Sequence, residues 1–206
     1  AWVRGYQGND LSADTTLMAC VKHYALYGAA EAGRDYNTVD MSRVTAMNYY
    51  MRPYQAAVEA GVGSIMTSFN EFESIPATGN TWLLNDVLRK QWGFNGFVVS
   101  DFTAIAEMVN HGIGNSQEVG VKALKAGVDM DMIADCYHAV LKKSLEEGKI
   151  TEAEIDSACR RILISKYQLG LFHDPYKYCN PKRAAKEFLS VNNVSAARRI
   201  AAESFV

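Results

Sequence analysis

The sequence has no apolar run long enough to cross a bilayer. A membrane-spanning helix needs about 20 consecutive, mostly apolar residues, and no stretch here approaches that length. The first residues also lack the basic flank and the apolar segment of a signal peptide. We therefore predict a protein without a membrane span.

Clustered basic residues and paired cysteines are missing as well. The 21 basic and 23 acidic residues give a formal net charge of −2, and no stripe of Lys or Arg could follow a phosphate backbone, so we expect no nucleic acid partner. The four cysteines form no CxxC or Cys/His spacing, so we predict no zinc site. Cys20 and Cys159 lie in apolar patterns, which predicts buried free thiols.

Short apolar runs and amphipathic helical patterns are what the chain does contain. Its 206 residues are 49% hydrophobic, enough for one domain with a sizeable core, or a domain with an appendage. The runs and the helical patterns alternate, which is typical of a parallel α/β fold. The runs cover residues 19–24, 63–69, 96–100 and 127–132.

The helical patterns come with start and stop signals. Residues 44–58 have apolar side chains at helical spacing, with Pro53 expected to kink the helix or to start a new one. A second helix is predicted between Asn80 and Gly93, and a third over 116–126. TEAE at 151–154 is a capping box that opens a helix toward Gly170, and the tail from about Ser190 is also helical in pattern.

About four strand-helix units follow from this pattern. A closed (β/α)8 barrel of the TIM type usually needs eight such units and about 250 residues. We therefore predict an α/β fold that is a partial barrel of this type, about half of a complete one.

Polar residues lie at or near the end of each apolar run. In parallel α/β folds the functional groups lie at the carboxyl ends of the strands, so these residues should surround one mouth. They are Lys22, His23, Ser68 to Asn70, Asp101 and Asp129 to Asp131.

Each of these residues has a structural alternative. Asp101 could simply cap the helix that follows it. Lys22 and His23 would point to opposite sides of a strand, so one of them could be an interior polar residue. Asp129 and Asp131 share a face and could hold a metal, but two carboxylates without a third ligand are weak evidence, and hydrogen-bonded structural roles are preferred.

Five longer stretches, in order, carry a family resemblance: 22–28 (KHYALYG), 33–42 (GRDYNTVDMS), 76–102 (PATGNTWLLNDVLRKQWGFNGFVVSDF), 122–132 (KALKAGVDMDM) and 160–176 (RRILISKYQLGLFHDPY). Together they resemble a family three glycoside hydrolase and, within it, the bacterial periplasmic β-glucosidases. The resemblance implies a retaining, exo-acting enzyme that removes terminal β-glucosyl residues without a cofactor or a metal. The Asp of the GFxGxVxSD motif is the family's nucleophile, and that position is Asp101.

The same resemblance assigns the sugar contacts. Lys22 and His23 match the Lys-His pair that binds hydroxyls of the terminal sugar. Phe69 stands where a Tyr is common and Phe102 where many members have Trp, so both keep an aromatic face for substrate but lose a polar donor. Nearby Lys22 is expected to favour the charged form of Asp101.

Parts of the family pattern are not found in these residues. The resemblance implies further sugar ligands before Ala1 and a general acid/base on a second, sandwich domain. Residues 1–175 would then be the C-terminal half of the barrel and residues 176–206 a helical linker. One branch of the family carries a His-Asp acid/base in a KHFPGHGDT loop, but KHYALYGAAEAG at 22–33 lacks both residues. Glu71, Glu73 and Glu107 are expected to be solvated.

These considerations leave three hypotheses. The first is a segment of a periplasmic or secreted β-glucosidase that acts on a β-glucoside or oligosaccharide and is inactive without its missing parts. The second is a noncatalytic half-barrel that binds sugar or self-associates to cover its sheet edges. The third is a barrel aldolase that uses Lys22 as a Schiff base.

Overall fold

The computed structural model describes residues 1–205 and divides the chain into two compact units, Ala1–Leu169 and the residues from Gly170 onward. The strands are β1 (Cys20–Tyr24), β2 (Thr38–Val39), β3 (Ser64–Thr67), β4 (Glu71–Phe72), β5 (Ile75–Pro76) and β6 (Phe97–Val99). The α-helices are α1 (Trp2–Gln7), α2 (Arg43–Thr45), α3 (Arg52–Glu59), α4 (Ala104–Glu107), α5 (Ser116–Ala126), α6 (Cys136–Glu146), α7 (Glu152–Gln168), α8 (Pro181–Glu187) and α9 (Val191–Glu203). Two π-helices cover Ala46–Tyr50 and Trp82–Gln91.

The larger sheet is parallel and has the strand order β1-β3-β6. Its strands are three of the four predicted runs, and helices connect them, which confirms an α/β fold. The fourth run, residues 127–132, was predicted wrongly as a strand, because only Val99 and Met130 form a bridge there. The chain leaves the ladder at once: Met132 N–H donates to the side chain of Ser100 (2.9 Å) instead of to a strand carbonyl.

β3 and β6 approach each other unusually closely where they begin. A Cβ atom at Gly96 would lie 2.2 Å from the carbonyl oxygen of Gly63, a distance that no side chain tolerates. Glycine therefore permits the contact that aligns Ser64 with Phe97 in the parallel register.

A second, smaller sheet has the order β2-β4-β5 and was not predicted. β2 and β4 are parallel, with Thr38 opposite Glu71, and β4 and β5 form an antiparallel hairpin. The two residues of its turn, Glu73 and Ser74, both have positive φ (54° and 61°), as a type I′ turn requires. Neither is the Gly or Asn that usually marks such a turn, and each strand has only two residues, so the sequence signal was weak.

The core lies between the larger sheet and its helices. Ile65 of β3 and Val98 of β6 are fully buried, and the π-helix Trp82–Gln91 adds Leu83, Leu84 and Leu88. Tyr24, at the end of β1, is also fully buried and donates its hydroxyl to the Leu83 carbonyl (2.9 Å). Burial raises the pKa of this phenol well above its ordinary value.

Several helix signals are confirmed. Pro53 lies in the first turn of α3, after the π-turn Ala46–Tyr50, so the predicted helix over 44–58 is interrupted as expected. The third predicted helix has the bounds of α5, and Thr151 with Glu154 forms a capping box at the start of α7. α9 begins after Ser190, whose side chain accepts the Asn193 N–H. The helix after Asn80 is present but is π rather than α.

α6 was missed because its capping residue lies upstream of the helix itself. Asp135 at the N-cap is left-handed (φ 55°) and makes no side-chain cap, and Asp131 instead accepts the N–H groups of Cys136 (2.7 Å) and Tyr137 (3.2 Å). Asp129 accepts from Arg89 and Arg161 (2.7 Å each) and from the N–H of Val98 (2.8 Å). The preference for structural roles of this aspartate pair is confirmed.

The prediction of buried thiols is wrong for both cysteines that it named. Cys20 and Cys159 are exposed free thiols, and Cys136 is the buried one. Cys20 is exposed because β1 is at the edge of the larger sheet, and Cys159 faces outward from α7.

The unit from Gly170 onward contains α8 and α9. Asn180 caps α8 by accepting the N–H groups of Lys182 (3.1 Å) and Arg183 (3.3 Å). That residues 176–206 are a linker stays a prediction. Across residues 1–205, no helix combines the length and apolarity needed to cross a membrane.

Candidate active site

Asp101 lies immediately beyond the carboxyl end of β6. The strand before it is held by the core. Ser100 is fixed by three hydrogen bonds: its N–H donates to the Met130 carbonyl (2.9 Å), its hydroxyl donates to the Asp101 carbonyl (3.0 Å), and the same hydroxyl accepts the Met132 N–H (2.9 Å). The Asp101 side chain is 14% exposed, and its Oδ1 accepts the N–H of Phe102 (2.6 Å). A rigid strand end thus presents a carboxylate that solvent reaches only in part.

The alternative role of Asp101 as a helix cap does not hold. Thr103 occupies the N-cap position of α4 with a left-handed backbone (φ 58°), and no side chain caps that helix. The carboxylate of Asp101 contacts its neighbour Phe102 instead. It is therefore left available for another partner.

His23 of β1 is that partner in the structure. Its Nε2 lies 3.5 Å from Oδ2 of Asp101, and its side chain is 30% exposed. The His23 carbonyl accepts the hydroxyl of Tyr54 (2.6 Å), which secures the strand from the α3 side. Just beyond it, Ser68 (3.1 Å) and Asn70 (3.2 Å) both donate to the Ala25 carbonyl. The end of β1 therefore meets Asp101, and hydrogen bonds join the segments that follow β1 and β3.

Lys22 lies apart from this group. Its side chain is exposed and borders a groove beside α3 together with Val21 and Tyr54. Among residues 1–205, no ion pair joins Lys22 to Asp101. The expectation that Lys22 and His23 diverge along the strand agrees with this placement.

A row of aromatic rings extends from His23 across the mouth of the site. The ring centroids of His23 and Tyr27 are 5.1 Å apart, those of Tyr27 and Phe69 6.3 Å, and those of Phe69 and Tyr36 4.4 Å. Tyr27 also donates its hydroxyl to Asp35. Phe102 follows Asp101 and is 53% exposed, so a further aromatic face is open beside the carboxylate.

The charges around this row affect its two phenols. Burial raises the pKa of Tyr27, and the hydrogen bond to Asp35 and the negative charge of Asp101 raise it further. The pKa of Tyr36 is also raised, first by desolvation and then by Asp35, Glu107 and Asp101. Both phenols thus stay protonated at neutral pH and can donate hydrogen bonds.

The three glutamates near the strand ends all have partners. Glu71 was expected to be solvated, but it is only 20% exposed, because His111 Nδ1 lies 2.5 Å from its Oε1 and Thr38 donates to its Oε2 (3.0 Å). Glu73 accepts two hydrogen bonds from Arg43 (2.6 and 2.8 Å), which lower its pKa. Glu107 accepts from Asn110 (2.9 Å).

Tyr27, Tyr36 and His111 were not singled out from the sequence. The only available signal for the tyrosines was their position in the two stretches, 22–28 and 33–42, that carry the resemblance. His111 lies in a polar turn after α4 and gives no pattern of its own. Within residues 1–205, no group of three or more His, Cys, Asp or Glu side chains could hold a metal ion.

Comparison with known proteins gives consistent matches. The model of the glycosyl hydrolase family 3 N-terminal domain matches residues 1–164. The chain is 46% identical over 183 residues to a periplasmic beta-glucosidase of Salmonella typhimurium, covering 88% of this chain and 24% of the relative. It is 38% identical over 184 residues to a beta-xylosidase of Formosa agariphila, covering 84% of this chain and 25% of the relative.

The chain is also similar to solved structures of beta-glucosidases. A mutant beta-glucosidase of Listeria innocua in complex with laminaribiose has a TM-score of 0.92 and 43% identity, with 96% of this chain and 28% of that chain covered. The chain thus spans about a quarter of the length of these relatives. Since the family model matches most of its residues, the chain belongs to glycosyl hydrolase family 3 and contains sequence of its N-terminal domain.

Proposed function

We propose that these residues are part of a retaining, exo-acting β-glucosidase in which Asp101 is the nucleophile. The observation that carries the proposal is the placement of Asp101: a partly shielded carboxylate at the end of β6, 3.5 Å from His23 and beside a row of aromatic rings. Two of the relatives above are named beta-glucosidases, and one was solved with a β-linked disaccharide. β1, β3 and β6 would be successive strands of a (β/α)8 barrel.

The chemistry needs two carboxyl groups. In a retaining glycosidase one carboxylate attacks the anomeric carbon while the bond to the leaving oxygen breaks, and a protonated carboxyl about 5 Å away delivers a proton to that oxygen. Water then attacks the glycosyl-enzyme ester, loses a proton to the second carboxyl and releases the sugar, which restores both groups. The core behind β6 keeps Asp101 in place through both steps.

His23, Lys22, Phe69 and Phe102 are proposed to bind the terminal sugar. An imidazole and an ammonium satisfy sugar hydroxyls as acceptors and donors, and the open face of Phe102 can pack on the apolar side of a sugar ring. His23 is already beside Asp101, whereas Lys22 is turned toward α3, so its contact with the sugar requires a change of its side-chain rotamer.

The general acid/base is proposed to come from outside these residues. Glu71 is bound by His111 and Thr38, and Glu73 by Arg43, so both carboxyl groups already have partners within these residues. Because the relatives are about four times as long as this chain, the acid has ample sequence in which to lie. The Salmonella relative is named periplasmic, and we propose the same location for this protein.

The proposal is tested by trapping the nucleophile in the full-length product of the gene. A 2-deoxy-2-fluoro-glucosyl fluoride should form a stable ester on Asp101, detected by mass spectrometry of the peptide that contains it. Asp101→Asn should abolish labelling and nearly all turnover of an aryl β-glucoside while sugar binding changes less than about tenfold. Asp156→Asn on the exposed side of α7 is the matched control and should behave like the wild type.

A label on another residue, or an Asp101→Asn variant with near-normal turnover, would contradict this assignment. The same assay with an aryl β-xyloside separates a xylosidase from a glucosidase, since relatives of both names match this chain. The noncatalytic alternative would be supported by sugar binding without any labelling.

A further inference from the structure

The outer end of the aromatic row belongs to a second structural element, the small sheet. Tyr36 precedes β2 by two residues and Phe69 precedes β4 by two, and β2 and β4 pair with Thr38 opposite Glu71. The Glu71 N–H also donates to the Asn37 carbonyl (3.3 Å), so the pairing continues toward the two rings. The sheet thereby sets Tyr36 and Phe69 side by side, with centroids 4.4 Å apart.

This sheet is fastened to the loop that carries Asp101. We use the term clasp for Thr38, Glu71 and His111, in which Glu71 accepts from Thr38 and contacts His111, which lies in the turn after α4. Because α4 begins three residues after Asp101, the clasp joins the aromatic pair to the nucleophile's own segment. Glu71 and His111 are only 20% and 14% exposed, so the clasp is protected from solvent competition.

The position of Tyr36 points to a role distinct from that of His23. Tyr36 is the last ring of the row, three ring contacts removed from His23, and it is 42% exposed. His23 lies against Asp101, where the terminal sugar must bind for attack. An exposed ring at the far end of the row is where the departing part of a substrate can both bind and leave.

We propose that Tyr36, held by the clasp and packed on Phe69, forms the leaving-group side of the site and packs against the second sugar ring of a disaccharide. This inference rests on the proposed function and names its substrate class. Sugar rings present apolar C–H faces that pack on aromatic rings, and the Tyr36 hydroxyl can donate to a sugar oxygen. Asp35, Glu107 and Asp101 all act electrostatically on Tyr36, which favours a neutral sugar over an anionic one at this place.

The test compares two substrates in the full-length gene product. Laminaribiose has a second sugar ring, whereas β-glucosyl fluoride has a leaving group without any ring. Tyr36→Ala and Tyr36→Leu should lower the ratio of kcat/KM for laminaribiose to kcat/KM for the fluoride by about threefold to tenfold, the range that corresponds to loss of one aromatic contact. Tyr36→Phe keeps the ring and should stay within about twofold of the wild-type ratio.

One control variant and one test of the clasp accompany these variants. Tyr49→Ala removes a tyrosine that is 76% exposed on the π-turn Ala46–Tyr50 and should leave both substrates unchanged. His111→Ala should loosen the clasp and lower the same ratio mainly through KM for laminaribiose, with partial rescue in His111→Gln. Tyr36→Leu keeps an apolar side chain packed against Phe69 and therefore preserves folding better than Tyr36→Ala. The prediction can be checked with this variant if Tyr36→Ala does not fold.

Different results would contradict the leaving-group role of Tyr36 and the proposed function. An active enzyme whose ratio stays within twofold in both Tyr36→Ala and Tyr36→Leu overturns the leaving-group role alone. A wild-type protein that cleaves neither substrate overturns the proposed function, and this inference with it.

Discussion

The two strands whose ends meet at the site are supported very differently. β6 is paired with β3 and bridged to Met130, and the carboxylate of Asp129 links its Val98 N–H to Arg89 and Arg161. β1 pairs with β3 on one side and leaves Cys20 and Lys22 exposed. Asp101 therefore follows the strand with internal support, while His23 and Lys22 are on the strand that, among the described residues, pairs on one side only.

This difference explains which part of the site is already organised. Asp101 is fixed by contacts within residues 1–205, so its orientation does not need the substrate. No hydrogen bond or ion pair to the Lys22 side chain is present among residues 1–205, and Lys22 lies along the groove beside α3. We expect the β6 side to behave as a rigid platform and the β1 side to adjust when its edge is covered.

The largest effect should come from breaking the support of β6. Asp129→Ala would leave Arg89 and Arg161 without their buried counter-charge, and breaking a buried ion pair in this way typically costs about 3–5 kcal/mol. This loss is measured as the difference in the free energy of unfolding between the variant and the wild type, from urea titration. Asp156→Ala, on an exposed surface, should stay within about 0.5 kcal/mol of the wild type. A loss below about 1 kcal/mol in Asp129→Ala would show that β6 does not depend on this cluster.

A smaller effect sharpens the comparison within β1. His23→Ala and Lys22→Ala should each weaken transition-state binding of the terminal sugar by roughly 1.5–3 kcal/mol, the range for hydrogen bonds to charged groups. Because His23, unlike Lys22, contacts Asp101 in the structure, we also expect His23→Ala to slow labelling of Asp101 by a fluorinated glucosyl fluoride, and Lys22→Ala to affect it less. Specificity constants for an aryl β-glucoside and labelling rates measure both. Equal labelling rates in the two variants would show that the difference in placement has no kinetic consequence.

The smallest effect is a difference in thiol reactivity. Cys20 at the start of β1 is exposed, whereas Cys136 is buried and desolvation raises its pKa to about 11, so little of its reactive thiolate forms at pH 8. A disulfide reagent should modify Cys159 and Cys179 first and Cys136 last. Cys20 should fall between them, because its thiol is partly desolvated although the residue is exposed, and this desolvation raises its pKa. Peptide mapping over time gives the order. If Cys20 of the full-length product reacts as slowly as Cys136, then other parts of that protein cover the edge of β1.

The sequence predicted correctly those strands and helices whose patterns extend over several consecutive residues. The runs that became β1, β3 and β6 and the capped helices α5 and α7 have several consistent residues each, and they were located correctly. The run at 127–132 failed as a strand because its pairing with β6 is limited to the bridge at Met130, after which Asp131 accepts the N–H groups that begin α6. The hairpin was missed because Glu73 and Ser74 adopt positive φ without glycine.

The residues of the candidate site were also predictable only where a local sequence pattern marks them. Asp101 and His23 stood at predicted strand ends and in stretches with a family resemblance, and the structure brings them together. Tyr36 and His111 reach the site through the small sheet and the clasp, which join residues up to about 70 positions apart in the chain. No local pattern encodes such a contact, so it appears only once the chain is folded.

The close approach of β3 and β6 at Gly63 and Gly96 has a consequence for engineering. A side chain at 96 would push the start of β6 away from β3, and because Asp101 follows the same strand, the displacement would reach the carboxylate. Libraries aimed at new leaving-group preference should therefore keep position 96 constant and vary position 36. Position 36 can then vary while the clasp and the strand before Asp101 are kept unchanged.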